Sequence, residues 1–167
     1  MLQPNKILVI RFSSLGDLIL TSPIFRELRR IFPGANLNLL TSVGFGDVLD
    51  NNPHLDRIIK HPRKENFEQL NQLIEELQAE DFDLIYDAHR SIRSRWIVSR
   101  LTAFGMKRKP AVWKINKRTL NRKLLIHLGW NRLQQGLSQR EQWLLPLKQH
   151  ATPVSYTHLT LPTRSYV

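Results

Sequence analysis

The sequence predicts a three-layer α/β domain, Rossmann-like, in which helices cover both faces of a mostly parallel sheet. Strand candidates alternate with helix candidates along most of the chain, and this alternation favours parallel strands joined by right-handed crossovers. The first strand candidate, residues 6–12, is a nearly continuous apolar run rich in β-branched residues, which is typical of a strand buried on both faces. The length of 167 residues, 41% of them hydrophobic, favours one domain with a substantial core.

The first helix candidate follows this strand after a short polar stretch. Its apolar residues recur with helical spacing on one face; they are Ile24, Leu28, Ile31 and Phe32. Ser22 is the expected cap, Pro23 fits the first turn, and 33–34, a Pro-Gly pair, ends the helix. Residues 13–17 are therefore predicted to form a tight turn whose backbone N–H groups point outward.

Further strands and helices follow in alternation. The other strand candidates are short runs at 36–41, 57–60 and 82–87, with a weaker one at 107–113. Pro110 makes this last segment an edge or irregular strand. Two helix candidates place apolar residues on one face, namely Phe67, Leu70, Leu73, Ile74 and Leu77 after a cap at Asn66, and Ile92, Trp96, Ile97 and Leu101. A basic helix is expected at 116–128, and a last helix starts at a capping box of Ser138 and Glu141.

Two carboxylates lie where predicted strands end, which is where open parallel sheets bind ligands. Asp17 follows the first strand and Asp87 ends the fourth. The carboxylate of Asp17 is suited to bind a hydroxyl or act as a general base, or it only caps a helix. The carboxylate of Asp87 either bonds the backbone of its own turn or touches substrate. The first turn has one glycine, Gly16, so it lacks the three-glycine dinucleotide fingerprint.

The charge distribution implies an anionic partner. The net charge is +11, and residues 90–140 contain 14 Lys and Arg with no Asp or Glu. Such a block favours phosphate groups, nucleic acid or an acidic membrane surface over a merely solvated basic face.

Several classes of site and location are not indicated by the composition. The absence of cysteine excludes disulfides and thiolate metal sites, and the six histidines have no ligand spacing. No metal site is therefore indicated. No apolar run approaches the roughly 20 residues that cross a bilayer, and residues 1–5 lack the layout of a signal peptide. A cytoplasmic location is the expectation.

Residues 6–23 resemble the amino terminus of the lipopolysaccharide heptosyltransferases of glycosyltransferase family 9, with an apolar strand, a Ser-Ser-hydrophobic-Gly-Asp turn and a Thr-x-Pro helix start. The resemblance implies one half of a GT-B fold, with Asp17 as catalytic base. It also implies that turn amides around Ser13, Ser14 and Gly16 bind oxygens of the acceptor. The donor ADP-heptose is expected to bind a separate carboxyl-terminal domain, and no metal or other cofactor is expected.

Residues 86–94 resemble a second segment of this family, in which a strand ends in Asp before a basic helix containing serine. His89 and Arg90 stand where the family usually has Gln and Gly. The family's acceptor, the Kdo/lipid A inner core, carries carboxylates and phosphates that arginine binds well. Acceptor binding is assigned to Arg90, Arg93 and Arg95, with support from Arg11, Asp87 and His89.

The expected organisation is a fragment. Residues 1–150 form the acceptor-binding domain, residues 151–167 are a disordered tail or sequencing-adapter read-through, and the donor-binding domain is absent, so the chain alone is inactive. The basic residues at 107–123 are expected to hold the domain at the inner membrane as a peripheral protein. The alternatives are a stand-alone basic module that binds nucleic acid or phosphate and a small nucleotide-binding regulator that uses the 13–17 turn to hold the phosphates. The glycosyltransferase interpretation expects no specific nucleic acid.

Overall fold

Five parallel strands form a single sheet in the computed structural model, which describes residues 2–64, 66–103, 109–115 and 139–148. The strands are β1 Lys6–Ile10, β2 Asn36–Ser42, β3 Arg57–His61, β4 Leu84–Asp87 and β5 Ala111–Lys114. Their order is β3-β2-β1-β4-β5, and every neighbouring pair is parallel. The predicted fold class is thus confirmed, and β5 is an edge strand as Pro110 indicated.

Helices cover both faces of this sheet. They are α1 Leu15–Ile31, a short 3-10 helix Gly46–Leu49, α2 Phe67–Ala79, α3 Ile92–Ala103 and α4 Gln139–Lys148. Successive residues of β1 point to opposite faces, because side chains alternate along a strand. Val9 packs in one buried cluster with residues of α1 and α4, whereas Leu8 packs in another with residues of α2 and α3.

The predicted start of the first helix is wrong. The helix begins at Leu15, with Ser14 as N-cap, and Pro23 lies inside it rather than in its first turn. A capping box links Ser14 and Asp17 across this turn, and this local signal prevails over the alternative start at Ser22. The Thr21 hydroxyl donates to the Asp17 carbonyl at 2.7 Å, which adds a bond within the helix before the proline. Of the predicted turn at 13–17, only residues 13 and 14 lie outside the helix, and the whole connection from β1 to α1 is residues 11–14.

Three residues assigned to apolar helix faces, Phe67, Ile92 and Trp96, are exposed rather than in the core. Phe67 is 65% exposed and Ile92 is 89% exposed. Each of these two is the first residue of its helix, so the helical period continues there although the sheet no longer lies beneath it. The predicted cap of α2 is confirmed, since the Asn66 side chain accepts a hydrogen bond from the Gln69 N–H at 2.8 Å.

Some predicted features lie outside the described residues, namely the basic helix at 116–128, the cap at Ser138 and the tail at 151–167. The last predicted helix is confirmed as α4, and the hydroxyl of Tyr86 in β4 donates to the Trp143 carbonyl of α4 at 2.5 Å. Burial raises the pKa of this phenol well above its usual value. No helix in the described part of the chain is both long enough and apolar enough to span a membrane.

Candidate active site

The candidate site lies where the strand order reverses, between β1 and β4. The chain leaves β1 towards β2 on one side, while β4 pairs with β1 on the other, and in open α/β sheets ligands bind in the crevice at such a point. The loop after β1 leads to α1, and the turn after β4 leads to α3. The Ala88 N–H donates to the Ile10 carbonyl at 3.1 Å, so the two connections begin side by side.

Arg11 joins these two connections. It directly follows β1 and is 3% exposed. One terminal nitrogen, Nη2, lies 2.5 Å from Asp17 Oδ2, and the other, Nη1, donates to the Ala88 carbonyl at 2.5 Å. The guanidinium also lies 5.0 Å from the ring centre of Trp143 in α4. Burial lowers the pKa of Arg11, and the nearby carboxylates of Asp17 and Asp87 oppose that shift.

Asp17 is the third residue of α1 and keeps its carboxylate partly in solvent. Its side chain is 34% exposed. Oδ2 accepts from the Ser14 backbone N–H at 3.4 Å and from the Ser14 hydroxyl at 3.3 Å. The helix-capping role that the sequence left open is therefore present, and the carboxylate remains accessible as well. Its role as catalytic base stays a prediction.

The start of α1 also offers backbone donors. The first N–H groups of a helix have no partner within the helix, and they favour anionic or polar oxygens. Ser14 and Gly16 are exposed and Ser13 is half-buried, so this end of the helix faces solvent. The predicted oxygen-binding amides thus become the N-terminus of α1 rather than a separate loop.

Asp87 is 1% exposed and is occupied by its own turn. Oδ1 accepts the backbone N–H groups of His89 at 3.0 Å and Arg90 at 2.7 Å. Oδ2 accepts the Ser94 hydroxyl at 3.2 Å. Of the two alternatives left by the sequence, the structure has the hydrogen-bonded turn. Asp87 therefore shapes the β4–α3 turn that presents the Ala88 carbonyl to Arg11, and the ring of His89 in this turn lies 5.8 Å from that of Phe12.

The three arginines predicted to bind acceptor point in different directions. Arg90 donates to the Ile115 carbonyl after β5 at 3.0 Å. Arg93 donates to the Pro62 carbonyl after β3 at 3.0 Å and lies 3.9 Å from the ring centre of Phe12. Arg95 is exposed and lines a cleft of about 490 Å³ beside β5. They line the same end of the sheet without forming a single cluster.

Arg90 also explains the departure from the resembled pattern. Its φ angle is +49°, in the left-handed region where a glycine is favoured and a residue with a side chain is strained. The family pattern has glycine at this place. Arg90 holds the same conformation through its N–H bond to Asp87 and its bond to the Ile115 carbonyl.

The sequence suggested only a supporting role for Arg11 and did not predict that its side chain contacts both Asp17 and the Ala88 carbonyl. The available signal was a charged residue directly after a strand that is otherwise apolar. Its contact with the Ala88 carbonyl depends on β4 pairing next to β1, which the sequence order does not reveal. Among the described residues, no three His, Cys, Asp or Glu side chains converge to hold a metal ion.

Comparisons with known proteins give a consistent result. The chain is 27% identical over 118 residues to lipopolysaccharide heptosyltransferase 1 of Pseudomonas aeruginosa, an alignment that covers 64% of this chain and 33% of that protein. A crystal structure of a family 9 glycosyltransferase from Veillonella parvula has a TM-score of 0.67 at 18% identity, covering 89% of this chain and 42% of the other. The Escherichia coli heptosyltransferase WaaC with ADP has a TM-score of 0.58 at 22% identity, covering 86% and 47%. No protein-family profile matches the chain.

The fold is that of the Rossmann-like half of a GT-B glycosyltransferase. Within that class, the chain is similar in sequence to the lipopolysaccharide heptosyltransferases named heptosyltransferase 1. It spans about a third of the length of the curated relatives that it matches. These similarities favour the glycosyltransferase interpretation over the stand-alone basic module.

Proposed function

We propose that this chain is the acceptor-binding half of an enzyme that transfers heptose from ADP-heptose to the Kdo/lipid A inner core in lipopolysaccharide biosynthesis. The observation that carries the proposal is the partly exposed Asp17 carboxylate at the carboxyl edge of the sheet, held by the buried Arg11. That edge is where a ligand of an open α/β sheet binds.

In this function Asp17 removes the proton from an acceptor hydroxyl while the hydroxyl oxygen attacks the anomeric carbon of the heptose. The bond from that carbon to the diphosphate breaks, and ADP leaves with the electron pair. The contacts of Asp17 with Arg11 and Ser14 all fall on Oδ2, so Oδ1 is the oxygen available to take the proton. Arg11 fixes the orientation of the carboxylate through its ion pair.

Acceptor binding is assigned to the donors around this carboxylate. The amides at the start of α1 suit sugar hydroxyls or phosphate oxygens. Arg95 and Lys114, which line the cleft beside β5 where that strand ends, suit the phosphates or carboxylates of an anionic core. Arg90 and Arg93 contribute positive charge at this edge, although each already bonds a backbone carbonyl.

The donor is assigned to a second domain, which we propose lies beyond residues 1–150 in the complete enzyme. The WaaC structure contains ADP, and another structure of that protein contains ADP-2-deoxy-2-fluoro heptose.

The proposed acceptor also suggests a location for the protein. We place it in the cytoplasm, at the inner membrane surface, where a lipid-linked acceptor is accessible. The six basic residues at 107–109, 114 and 117–118 add electrostatic attraction to anionic lipids.

The direct test is a transfer assay with the complete reading frame, using ADP-heptose and Kdo-lipid A. We expect heptose transfer by the complete enzyme and none by the purified 167-residue chain, because the latter lacks the donor domain. Mass spectrometry of the lipid product measures the added heptose. Transfer by the short chain would refute the domain assignment, while a complete enzyme that transfers no heptose but accepts another nucleotide-sugar would refute the donor.

Replacing Arg11 with lysine in the complete enzyme tests its role in orienting Asp17. Lysine keeps the positive charge but lacks the planar fork that contacts Asp17 and the Ala88 carbonyl together. We expect kcat to fall roughly tenfold with little change in the KM for ADP-heptose, because small misplacement of a reacting group slows chemistry. Steady-state kinetics beside thermal unfolding provide the measurement. A loss of thermal stability with unchanged kcat would make Arg11 purely structural.

A further inference from the structure

An open groove lies between the first turns of α2 and α3, beside the site described above, with which it shares Arg93. Its volume is 720 Å³, and its apolar lining consists of Phe67, Leu70, Ile92 and Trp96. Three of these side chains are strongly exposed, at 65% for Phe67, 89% for Ile92 and 43% for Trp96. Large apolar side chains grouped at the surface in this way mark a contact with another molecule more often than scattered ones do.

The rim of the groove is basic. Arg63, Lys64 and Arg93 line it together with the apolar residues, and none of the described lining side chains is acidic. Arg63 and Lys64 are exposed. An aromatic and aliphatic floor within a cationic rim matches the boundary between the headgroups and acyl chains of an anionic membrane, where Trp rings and basic side chains are both favoured.

The position of the groove agrees with such a contact. Both helices start at the carboxyl edge of the sheet, because α2 follows β3 and α3 follows β4. Asp17 lies at the same edge, at the start of α1. Arg93 connects the two regions, since it stacks 3.9 Å from Phe12, one residue beyond Arg11. A lipid surface seated on this groove would therefore lie beside the candidate active site.

We propose that this groove is the surface by which the domain docks on an anionic lipid bilayer, with Phe67, Ile92 and Trp96 inserted among the lipids and Arg63 and Lys64 at the headgroups. This inference rests on the proposed function, because that function requires a lipid-linked acceptor. It assigns the apolar part of membrane attachment to α2 and α3, separate from the general electrostatic attraction of the basic residues at 107–123.

The test compares two double variants of the full 167-residue chain by co-sedimentation with vesicles of phosphatidylglycerol and phosphatidylcholine. Phe67→Ser with Ile92→Ser removes the inserted side chains, while Val43→Ser with Val48→Ser removes two similarly exposed side chains, at 58% and 53%, elsewhere on the domain. Both variants keep the net charge. We expect the partition coefficient to fall about tenfold or more for the groove variant, given the area of its two side chains, and to stay unchanged for the control.

A second measurement locates the contact. The measurement uses a Trp130→Phe background. Lipids brominated on their acyl chains should quench the tryptophan fluorescence of this background protein and much less that of the same protein carrying Trp96→Phe, because Trp113 and Trp143 are buried at 8% and 5% exposure. Equal vesicle binding by the two double variants would overturn the proposal. It would also be overturned if the groove substitutions abolished only self-association in vesicle-free solution, since the groove would then bind a second polypeptide.

These vesicles contain neither acceptor sugar nor ADP-heptose, so the outcome is separate from that of the transfer assay. Failure of vesicle binding beside successful heptose transfer would reject the groove alone. Vesicle binding through the groove beside failed transfer would reject the proposed reaction while leaving the docking surface in place.

Discussion

Replacing Asp17 with asparagine in the complete enzyme is expected to lower kcat for heptose transfer by roughly 10²–10⁴-fold, the usual contribution of a positioned general base. Asparagine is nearly the same shape, and its single amide oxygen, placed where Oδ2 of Asp17 lies, accepts from Ser14 and Arg11, so the cap of α1 and the fold should remain. An amide cannot take the proton of the acceptor hydroxyl. The KM values for ADP-heptose and acceptor should therefore change little while kcat falls.

Asp47→Asn is the matched control for this experiment. Asp47 is also an accessible carboxylate paired with a cation, 2.6 Å from Lys60, and its side chain is 67% exposed. It lies in the 3-10 helix between β2 and β3, away from β1 and β4. We expect this variant to keep wild-type kinetics. A D17N enzyme with nearly full kcat, or one whose defect is matched by D47N, would contradict the assignment of Asp17 as base.

The sequence was sufficient for the fold because its signals there are local. The β-branched run of β1 and the reciprocal cap of Asn66 and Gln69 each need only neighbouring residues, and both appear in the structure. The start of α1 was mispredicted because two local signals compete. A Ser-x-x-Asp capping box lies at Ser14, and a Ser-Pro pair lies at 22–23; proline is well suited to a first turn, but its position alone does not exclude helix before it.

The site was less predictable because its contacts join distant parts of the chain. Asp17 and Asp87 were found from their positions at strand ends, but their different exposure was not. The polar partners that occupy Asp87 include the hydroxyl of Ser94, one turn into α3. The bridge from Arg11 to the Ala88 carbonyl spans 77 residues of sequence. The surface groove was missed because a local signal was misleading. Helical periodicity places Phe67 and Ile92 on the apolar faces of their helices, but it does not indicate that the sheet ends before it reaches them.

Removing the Asp87 carboxylate is expected to cause the largest loss of stability among single substitutions at this edge. Asp87→Ala leaves two backbone N–H groups and the Ser94 hydroxyl without their acceptor in a site that is almost fully buried. Unsatisfied buried groups cost about 1–3 kcal/mol each, part of which water recovers at the half-buried turn. We expect the free energy of unfolding of the 167-residue chain to fall by about 3 kcal/mol, measured by urea denaturation.

Asp87→Asn separates hydrogen bonding from charge at the same position. Both backbone N–H groups donate to Oδ1, which the amide retains, and the Ser94 hydroxyl is able to accept from the new NH₂ group. The loss should therefore be only about 1 kcal/mol, within the range for one net hydrogen bond. Equal destabilisation by Ala and Asn would instead mean that the charge of Asp87 matters most, through its attraction to Arg11. Because the turn presents the Ala88 carbonyl to Arg11, the alanine variant should also loosen the ion pair that orients Asp17. Arg11 thus connects Asp87, which stabilises the turn, with Asp17, the proposed catalytic base.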